Sequence, residues 1–177
     1  MSSAIDEARE AMDAITERFA TDERARRTLT VGVRLGEGFR VDMDIRNHRL
    51  TVDEPKGIGG TDEGPSPVEL LLASLTACQA ITYRVWAMKL GIALDTVAVE
   101  TEGDMDLRGF LGGGGDGIPA GFTALRLKVS LGGPESPDRY RELADAVDRH
   151  CPVLDFAQTR VPVERRLVDA AAEARAG

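Results

Sequence analysis

Two cysteines are the residues of this chain best suited to redox or nucleophilic chemistry. Cys78 ends the stretch GPSPVELLLASLTAC (residues 64–78), and Cys151 stands in RHCPV (residues 149–153). The thiolate is the nucleophile in cysteine chemistry, and two thiols that meet in the fold can form and exchange a disulfide. The two residues do not form a CxxC motif, and two Cys with two His give no zinc-ligand spacing.

The surroundings of Cys78 on a helix favour a core residue over a reagent. On an ideal helix its face is shared by Leu71, Ser74, Leu75, Ile81, Thr82 and Val85. That face is mostly apolar, and cysteine is among the most buried residue types. A position in the middle of a helix offers no helix N-terminus to lower the thiol pKa. A reactive Cys78 therefore requires a cation from elsewhere, and arginine is the first candidate.

Cys151 has a different setting, because proline follows it. Pro152 suits the first position of a helix, so Cys151 is expected to cap that helix, where the positive end of the dipole favours a thiolate. A buried cap residue without reactivity is the alternative. His150 is interpreted as a surface histidine, since sequence neighbours need not face each other.

The helix that carries Cys78 has clear start and stop signals. Ser66 at the cap, Pro67 at the first helical position and Glu69 three residues after the serine form a capping box. The helix is predicted to run to Leu90, with Gly91 at its end. A long helix that is apolar on most sides needs much protein to bury it, so we expect a partner subunit to cover part of it.

The other predicted elements combine strands and helices that are partly segregated, which is typical of the α+β class. They are a helix at 3–21, strands at 28–35, 39–45 and 49–53, strands at 94–102 and 122–131, a helix at 137–149 capped by Ser136, a short helix from 151, and a last strand at 160–168. The glycine-rich stretch 109–121 is predicted to be a flexible loop. It is not expected to cradle phosphate, because no Lys-Ser/Thr pair and no helix follows it.

Charge and composition narrow the class of protein. The formal net charge is −8, which argues against nucleic acid and anionic membrane surfaces as partners. The N-terminus lacks the apolar core of a secretory signal, and the uncharged stretch 70–83 is shorter than the roughly 20 residues of a membrane span. We expect a cytoplasmic protein with no metal and no cofactor, in which the cysteines do not form a standing structural disulfide.

Three stretches resemble one known family. DEPKGIGGTDEGPSPVELLLASLTAC, GDMDLRGFLG and HCPV are similar to the OsmC/Ohr family, which comprises the osmotically inducible protein C and the organic hydroperoxide resistance proteins. The resemblance covers residues 28–168, leaving 1–27 as an N-terminal helical extension and 169–177 as a C-terminal tail. It implies an α+β, OsmC-like fold, in which antiparallel sheets surround a long central Cys-bearing helix in an intertwined homodimer.

The resemblance also implies an activity. Characterised members are thiol-dependent peroxidases, so Cys78 would attack an organic hydroperoxide and become a sulfenic acid. Cys151 would condense with it to a disulfide, and a dithiol reductant such as a lipoyl protein would restore both thiols. Two alternatives stay open, namely a non-catalytic dimeric binder of a small apolar ligand and a redox-sensing dimer.

The sequence departs from the family pattern where an activating pair is expected. In the peroxide-resistance branch a glutamate follows the proline at the helix start and pairs with an arginine that activates the thiolate. Val68 stands at that position here, and Glu69 lies one residue later, on the opposite helix face from Cys78. Glu69 is therefore a weaker candidate for this role.

The activating arginine has three candidates on or beside the early strands. Arg40 is preferred over Arg34 and Arg46, because it follows the turn at 36–38 and would project from the start of a strand. A solvated strand arginine is the alternative interpretation of each. The predicted catalytic residues are Cys78, Cys151, Arg40 and Glu69.

Overall fold

The computed structural model describes residues 4–113, 115 and 117–168, so the predicted tail 169–177 lies outside the described residues. The helices are α1 (Ala4–Phe19), α2 (Pro67–Leu90), α3 (Leu107–Leu111), α4 (Pro137–His150) and α5 (Pro152–Gln158). The strands are β1 (Val33–Leu35), β2 (Val41–Ile45), β3 (His48–Val52), β4 (Thr96–Met105) and β5 (Phe122–Gly132). This mixture confirms the predicted α+β class.

The strands form two separate antiparallel sheets. The first has the order β1-β2-β3, as the predicted meander requires, and β4 pairs with β5 in the second. Burial alternates along β4, so one face packs on the body of the protein and the other faces solvent. On the solvent face Arg126 pairs with Glu102 and Asp104 across the strands. The second sheet packs against α2 with its apolar face.

Helix α2 has the predicted ends. The Ser66 hydroxyl accepts a hydrogen bond from the Glu69 N–H, and the Glu69 carboxylate accepts one from the Ser66 N–H. Gly91 ends the helix in the left-handed region, with φ of 61°. The buried face of the helix comprises Leu75, Gln79, Thr82, Tyr83 and Ala87. This face joins residues of α4 and α5 in the core.

Two predicted strands and one predicted loop differ in the structure. Residues 160–168 contain no strand, and only Val33–Leu35 of the predicted strand 28–35 is one. A strand needs a neighbouring backbone to satisfy its hydrogen bonds. Among the described residues, no strand of either sheet pairs with 160–168. The predicted loop 109–121 overlaps a short helix, α3, whose cap is the side chain of Asp106. No helix among the described residues combines the length and apolar composition that crossing a bilayer requires.

A buried carboxylate organises the loop that leads into α2. Asp53 is only 1% exposed, and its oxygens accept hydrogen bonds from the Thr61 hydroxyl and from the backbone N–H groups of Glu54, Thr61 and Glu63. These donors, with the Thr61 hydroxyl first, lower the pKa of Asp53 to about 2. The loop is thereby fixed in front of the helix that carries Cys78.

An Asp53→Asn variant is expected to have a lower melting temperature than the wild type at neutral pH. Since folding depresses the Asp53 pKa, its contribution to stability is complete above the ordinary value of 3.8 and is lost as the pH falls to about 2. Thermal melts from pH 7 to pH 2 should therefore show the two proteins converging at the acid end. Asp62→Asn, in the same loop but exposed, is the matched control. A constant difference at all pH values would contradict this assignment.

Candidate functional site

The fold brings the two cysteines into contact. The sulfur of Cys151 lies 3.4 Å from the sulfur of Cys78, and both are free thiols. Cys151 is 1% exposed, whereas Cys78 is only partly buried. An S–S bond measures about 2.05 Å, so the two sulfurs need to approach by roughly 1.4 Å to form a disulfide. Oxidation to a disulfide therefore requires only local movement.

The break between α4 and α5 positions Cys151. Pro152 has no N–H and begins α5, while Cys151 has an extended backbone and donates its own N–H to the Val147 carbonyl at 2.9 Å. Cys151 stands at the predicted cap position, but its side chain makes no capping hydrogen bond. The predicted cap position is therefore confirmed, while the sulfur itself packs against Cys78 in the core.

The environment of Cys78 contains opposing influences on its pKa. Burial is the largest and raises the pKa, a hydrogen bond from the backbone N–H of Val153 lowers it, and the Cys151 side chain raises it again. The net direction is upward. Val153 belongs to the first turn of α5, so a helix start does act on Cys78. The sequence did not predict this effect, because Cys78 belongs to α2 and the N–H group that reaches it belongs to α5.

The other two predicted site residues have their polar contacts elsewhere. The Arg40 guanidinium pairs with Asp42 at 3.2 Å and with Glu63. The Glu69 carboxylate accepts hydrogen bonds from the Ser66 N–H at 2.7 Å and from its hydroxyl at 2.8 Å. None of the groups with the largest influence on the Cys78 pKa is a cation. An activating role for Arg40 or Glu69 stays a prediction.

His150 is exposed, in accordance with its interpretation as a surface histidine. Its ring lies on Trp86, with centroids 3.9 Å apart, and its Nδ1 is 2.8 Å from the Ala146 carbonyl oxygen. Within the part of the chain that is described, no group of three His, Cys, Asp or Glu side chains is arranged to hold a metal ion.

An apolar groove adjoins the thiol pair. It has a volume of about 470 Å³ and lies between α2, β5 and α5, with a lining that includes Leu71, Leu72, Leu75, Phe122, Leu125 and Phe156. Leu75 precedes Cys78 by one helical turn, and Val153, which also lines the groove, donates its N–H to the Cys78 sulfur. The sequence predicted the apolar surface of α2. It gave no sign that β5 and α5 complete a groove there.

Thr82 is a further polar group at the site that the sequence placed on the face of Cys78 without assigning it a role. It is 7% exposed, and its hydroxyl donates to the carbonyl oxygen of Cys78 at 2.7 Å. This hydroxyl also lowers the pKa of the Cys78 thiol, by less than burial raises it.

Comparisons with known proteins agree with this architecture. A family model described as OsmC-like protein matches residues 60–166. The chain is similar to the crystal structure of an OsmC-like protein from Mycoplasma pneumoniae, at 22% identity and a TM-score of 0.64, over 75% of this chain and 88% of that one. No curated protein sequence shows significant similarity to the chain.

Two other similar structures are described as organic hydroperoxide resistance proteins. The one from Legionella pneumophila is 19% identical with a TM-score of 0.56, over 73% of this chain and 88% of that one. The one from Elizabethkingia anophelis is also 19% identical with a TM-score of 0.55, over 75% and 89%. At these identities the likeness concerns the fold.

Proposed function

Since this chain belongs to the OsmC-like protein family, we propose that it is a thiol-dependent peroxidase that reduces organic hydroperoxides as a defence against oxidative stress. The observation that carries the proposal is the pair of free thiols 3.4 Å apart beside an apolar groove. Organic hydroperoxide resistance proteins among the similar structures give the proposal its context.

The first step is attack by the thiolate of Cys78 on the outer oxygen of the hydroperoxide. An S–O bond forms as the O–O bond breaks, and the alkoxide takes a proton and leaves as the alcohol. Cys78 is oxidised to a sulfenic acid and the hydroperoxide is reduced. The partial exposure of Cys78 supports its choice as the attacking residue, since Cys151 is 1% exposed.

The second step is capture of the sulfenic acid by Cys151. Its sulfur attacks the Cys78 sulfur, an S–S bond forms, and the sulfenic oxygen leaves as water. The short separation of the sulfurs favours this step over further oxidation by a second peroxide. A dithiol reductant, for example a lipoyl group, then regenerates both thiols by exchange, and is itself oxidised to a disulfide.

The groove supports an organic rather than an inorganic peroxide as substrate. Its apolar lining would bury an aliphatic or aromatic tail, and burial of a side-chain-sized apolar group contributes about 1.5–3 kcal/mol. Hydrogen peroxide has no group that could occupy the groove. The tail would lie along α2 and β5, with the peroxide oxygens next to Cys78.

We propose further that the chain acts as a homodimer. Ile81 on α2 is 64% exposed, and Val163 and Leu167 in the unpaired segment 160–168 are 88% and 90% exposed. A second copy would bury these apolar side chains and could offer a strand edge to that segment. Sedimentation equilibrium is expected to give about twice the chain mass of 19.0 kDa. A single-chain mass at micromolar concentration would contradict the dimer.

Arg40 is the proposed source of positive charge for the Cys78 thiolate. In one chain its guanidinium is held by Asp42 and Glu63, so the role requires Arg40 to reach Cys78 across the dimer. Glu69 could assist only by the same route, because its carboxylate is engaged in the cap of α2.

A second candidate is a non-catalytic dimeric binder of a small apolar ligand. The raised pKa of Cys78 favours it, because burial outweighs the hydrogen bonds that stabilise the thiolate. The groove would then be the ligand site, and the cysteines would be core residues beside it.

Turnover of cumene hydroperoxide by the wild-type protein, with dihydrolipoamide as reductant, separates the two candidates. The peroxidase is expected to consume many equivalents and, without reductant, to lose 2 Da as Cys78 and Cys151 join. No consumption, with both thiols still titratable after treatment, would leave the binder as the better assignment.

A further inference from the structure

The two cysteine sulfurs are close enough for a single third atom to bridge them. They lie 3.4 Å apart, and both residues are free thiols. A disulfide needs a separation of about 2.05 Å, so the sulfurs have to approach each other to form one. A thiophilic atom placed between them could instead bind both sulfurs where they stand. The separation therefore selects the kind of atom that fits.

The bond angle at such an atom follows from the separation. Bonds from cysteine sulfur to a thiophilic centre such as zinc are about 2.3 Å long, and bonds from sulfur to arsenic have a similar length. Two bonds of about 2.3 Å that end on sulfurs 3.4 Å apart enclose an angle of about 95°. This angle is typical of a three-coordinate, pyramidal centre with a lone pair. Trivalent arsenic is a thiophilic element with this geometry.

Metal ions that prefer thiolates fit the pair less well. A tetrahedral zinc ion would hold the sulfurs about 3.8 Å apart and needs two further ligands. In the part of the chain that the structure describes, no third His, Cys, Asp or Glu joins the pair in an arrangement that could hold a metal ion. A linear Cu(I) ion would hold the sulfurs about 4.6 Å apart, twice the bond length, so the two side chains would have to separate.

We propose that Cys78 and Cys151 form a binding site for trivalent organic arsenicals, in which arsenic bridges the two sulfurs and its organic group occupies the apolar groove. Leu75 precedes Cys78 by one turn and Val153 follows Cys151 by two residues, and both line the groove. The third bond of arsenic carries the organic group, and burial of an aromatic ring in the groove would stabilise the complex. This site goes beyond the proposed peroxidase, because binding requires no redox step.

Binding is a condensation in which no atom changes its oxidation state. With phenylarsine oxide, the sulfur of Cys78 attacks arsenic first, because Cys151 is 1% exposed and Cys78 is only partly buried. The sulfur of Cys151 then forms the second arsenic–sulfur bond. The bonds between arsenic and oxygen break, and the oxygen leaves with the two thiol protons as one water. Since the second bond forms within one molecule, the bridged complex should be on the order of 10²–10⁴-fold tighter than binding to one thiol.

The test is titration of the reduced full chain with phenylarsine oxide, in which the remaining thiols are counted with a chromogenic aromatic disulfide. One equivalent should remove both thiols, and peptide mapping should find one phenylarsenic group that joins residues 78 and 151. Cys78→Ser and Cys151→Ser should each raise the Kd by about 100-fold or more. Cys151 is buried, so a thermal melt checks its variant, and Cys151→Ala makes the same comparison if the serine variant does not fold.

A second titration tests where the organic group lies. Leu71→Asp places a charge in the groove and should raise the Kd for phenylarsine oxide by roughly 10- to 100-fold, the value of one buried apolar group. Arsenite has no organic group, so the same variant should change its Kd by less than about twofold. Leu111→Asp lies outside the groove and should change neither Kd.

Three results would overturn the site. Two equivalents of phenylarsine oxide for loss of both thiols would mean that each cysteine binds separately. An unchanged Kd in either serine variant would mean that arsenic does not bridge the pair. Equal effects of Leu71→Asp on phenylarsine oxide and arsenite would remove the organic group from the groove.

These measurements need no peroxide, so the site and the proposed peroxidase can fail separately. A bridged complex in a protein that does not consume hydroperoxide would support the site and contradict only the peroxidase. Hydroperoxide turnover by a protein that binds phenylarsine oxide no more tightly than its single-cysteine variants would overturn only the site.

Discussion

A Cys78→Ser variant is expected to consume organic hydroperoxide at the uncatalysed rate. Turnover should fall by on the order of 10³-fold or more relative to the wild type. A serine hydroxyl is nearly isosteric with the thiol but is not ionised near neutral pH and does not form a stable oxidised state with peroxide. The side chain is only partly buried, so the fold is expected to tolerate the change. The measurement is steady-state consumption of cumene hydroperoxide with dihydrolipoamide, supported by a thermal melt.

A Cys151→Ser variant should separate the two chemical steps. Cys78 can still attack the peroxide, so one equivalent is consumed rapidly and a sulfenic acid forms, which dimedone traps as an adduct at Cys78. Excess peroxide should then add further oxygens to the same sulfur, because the thiol 3.4 Å away has been removed. Protection of wild-type Cys78 from this over-oxidation is the matching control.

Two results would contradict the assigned roles of the cysteines. Full turnover in Cys78→Ser would mean that the reacting atom lies elsewhere. A dimedone adduct on Cys151 in the wild type, with Cys78 unmodified, would reverse the order of attack. Either result would be difficult to reconcile with the exposures of the two side chains, since Cys151 is 1% exposed.

A charge placed in the groove is expected to discriminate between peroxides. Leu71 lines the groove from α2 and is 42% exposed, so Leu71→Asp should fold. The carboxylate would disfavour an apolar tail, and kcat/KM for cumene hydroperoxide should fall by roughly 10- to 100-fold, the value of one buried apolar contact. For hydrogen peroxide, which has no tail, kcat/KM should change by less than about twofold.

The control for this variant is an exposed leucine away from the groove. Leu111 at the end of α3 is 68% exposed and is not part of the groove lining. Leu111→Asp should leave kcat/KM for both peroxides unchanged. If Leu71→Asp lowered both values equally, its effect would be on the thiol or on the fold, and the groove would lose its role as the site of the tail.

The sequence by itself predicted the elements whose signals are local. The capping box of Ser66 and Glu69 and the terminal Gly91 placed α2 at its observed bounds, because caps act within one turn of the chain. The alternation of β2 and the turn before β3 predicted the meander for the same reason. The two cysteines and the motifs around them also sufficed to predict the family that the match over 60–166 shows.

Other features depended on partners that are distant in the chain. Residues 160–168 have a strand-like pattern but no strand, because pairing needs a neighbour that the described part of one chain does not supply. The preference for Arg40 rested on its place after a turn, whereas its contacts depend on Asp42 and on Glu63 from another loop.

The electrostatic state of the thiols was decided by tertiary structure alone. The sequence predicted that the positive end of α5 would act on the thiol of Cys151. In the structure, packing directs the Val153 N–H of that helix to the sulfur of Cys78, which belongs to α2. Burial, which raises the Cys78 pKa, likewise arises when α4 and α5 pack on α2. Residue types and spacing therefore determined which atoms could react in this protein. The distances and desolvation that govern their reactivity come only from packing, because both depend on atoms brought together from separate parts of the chain.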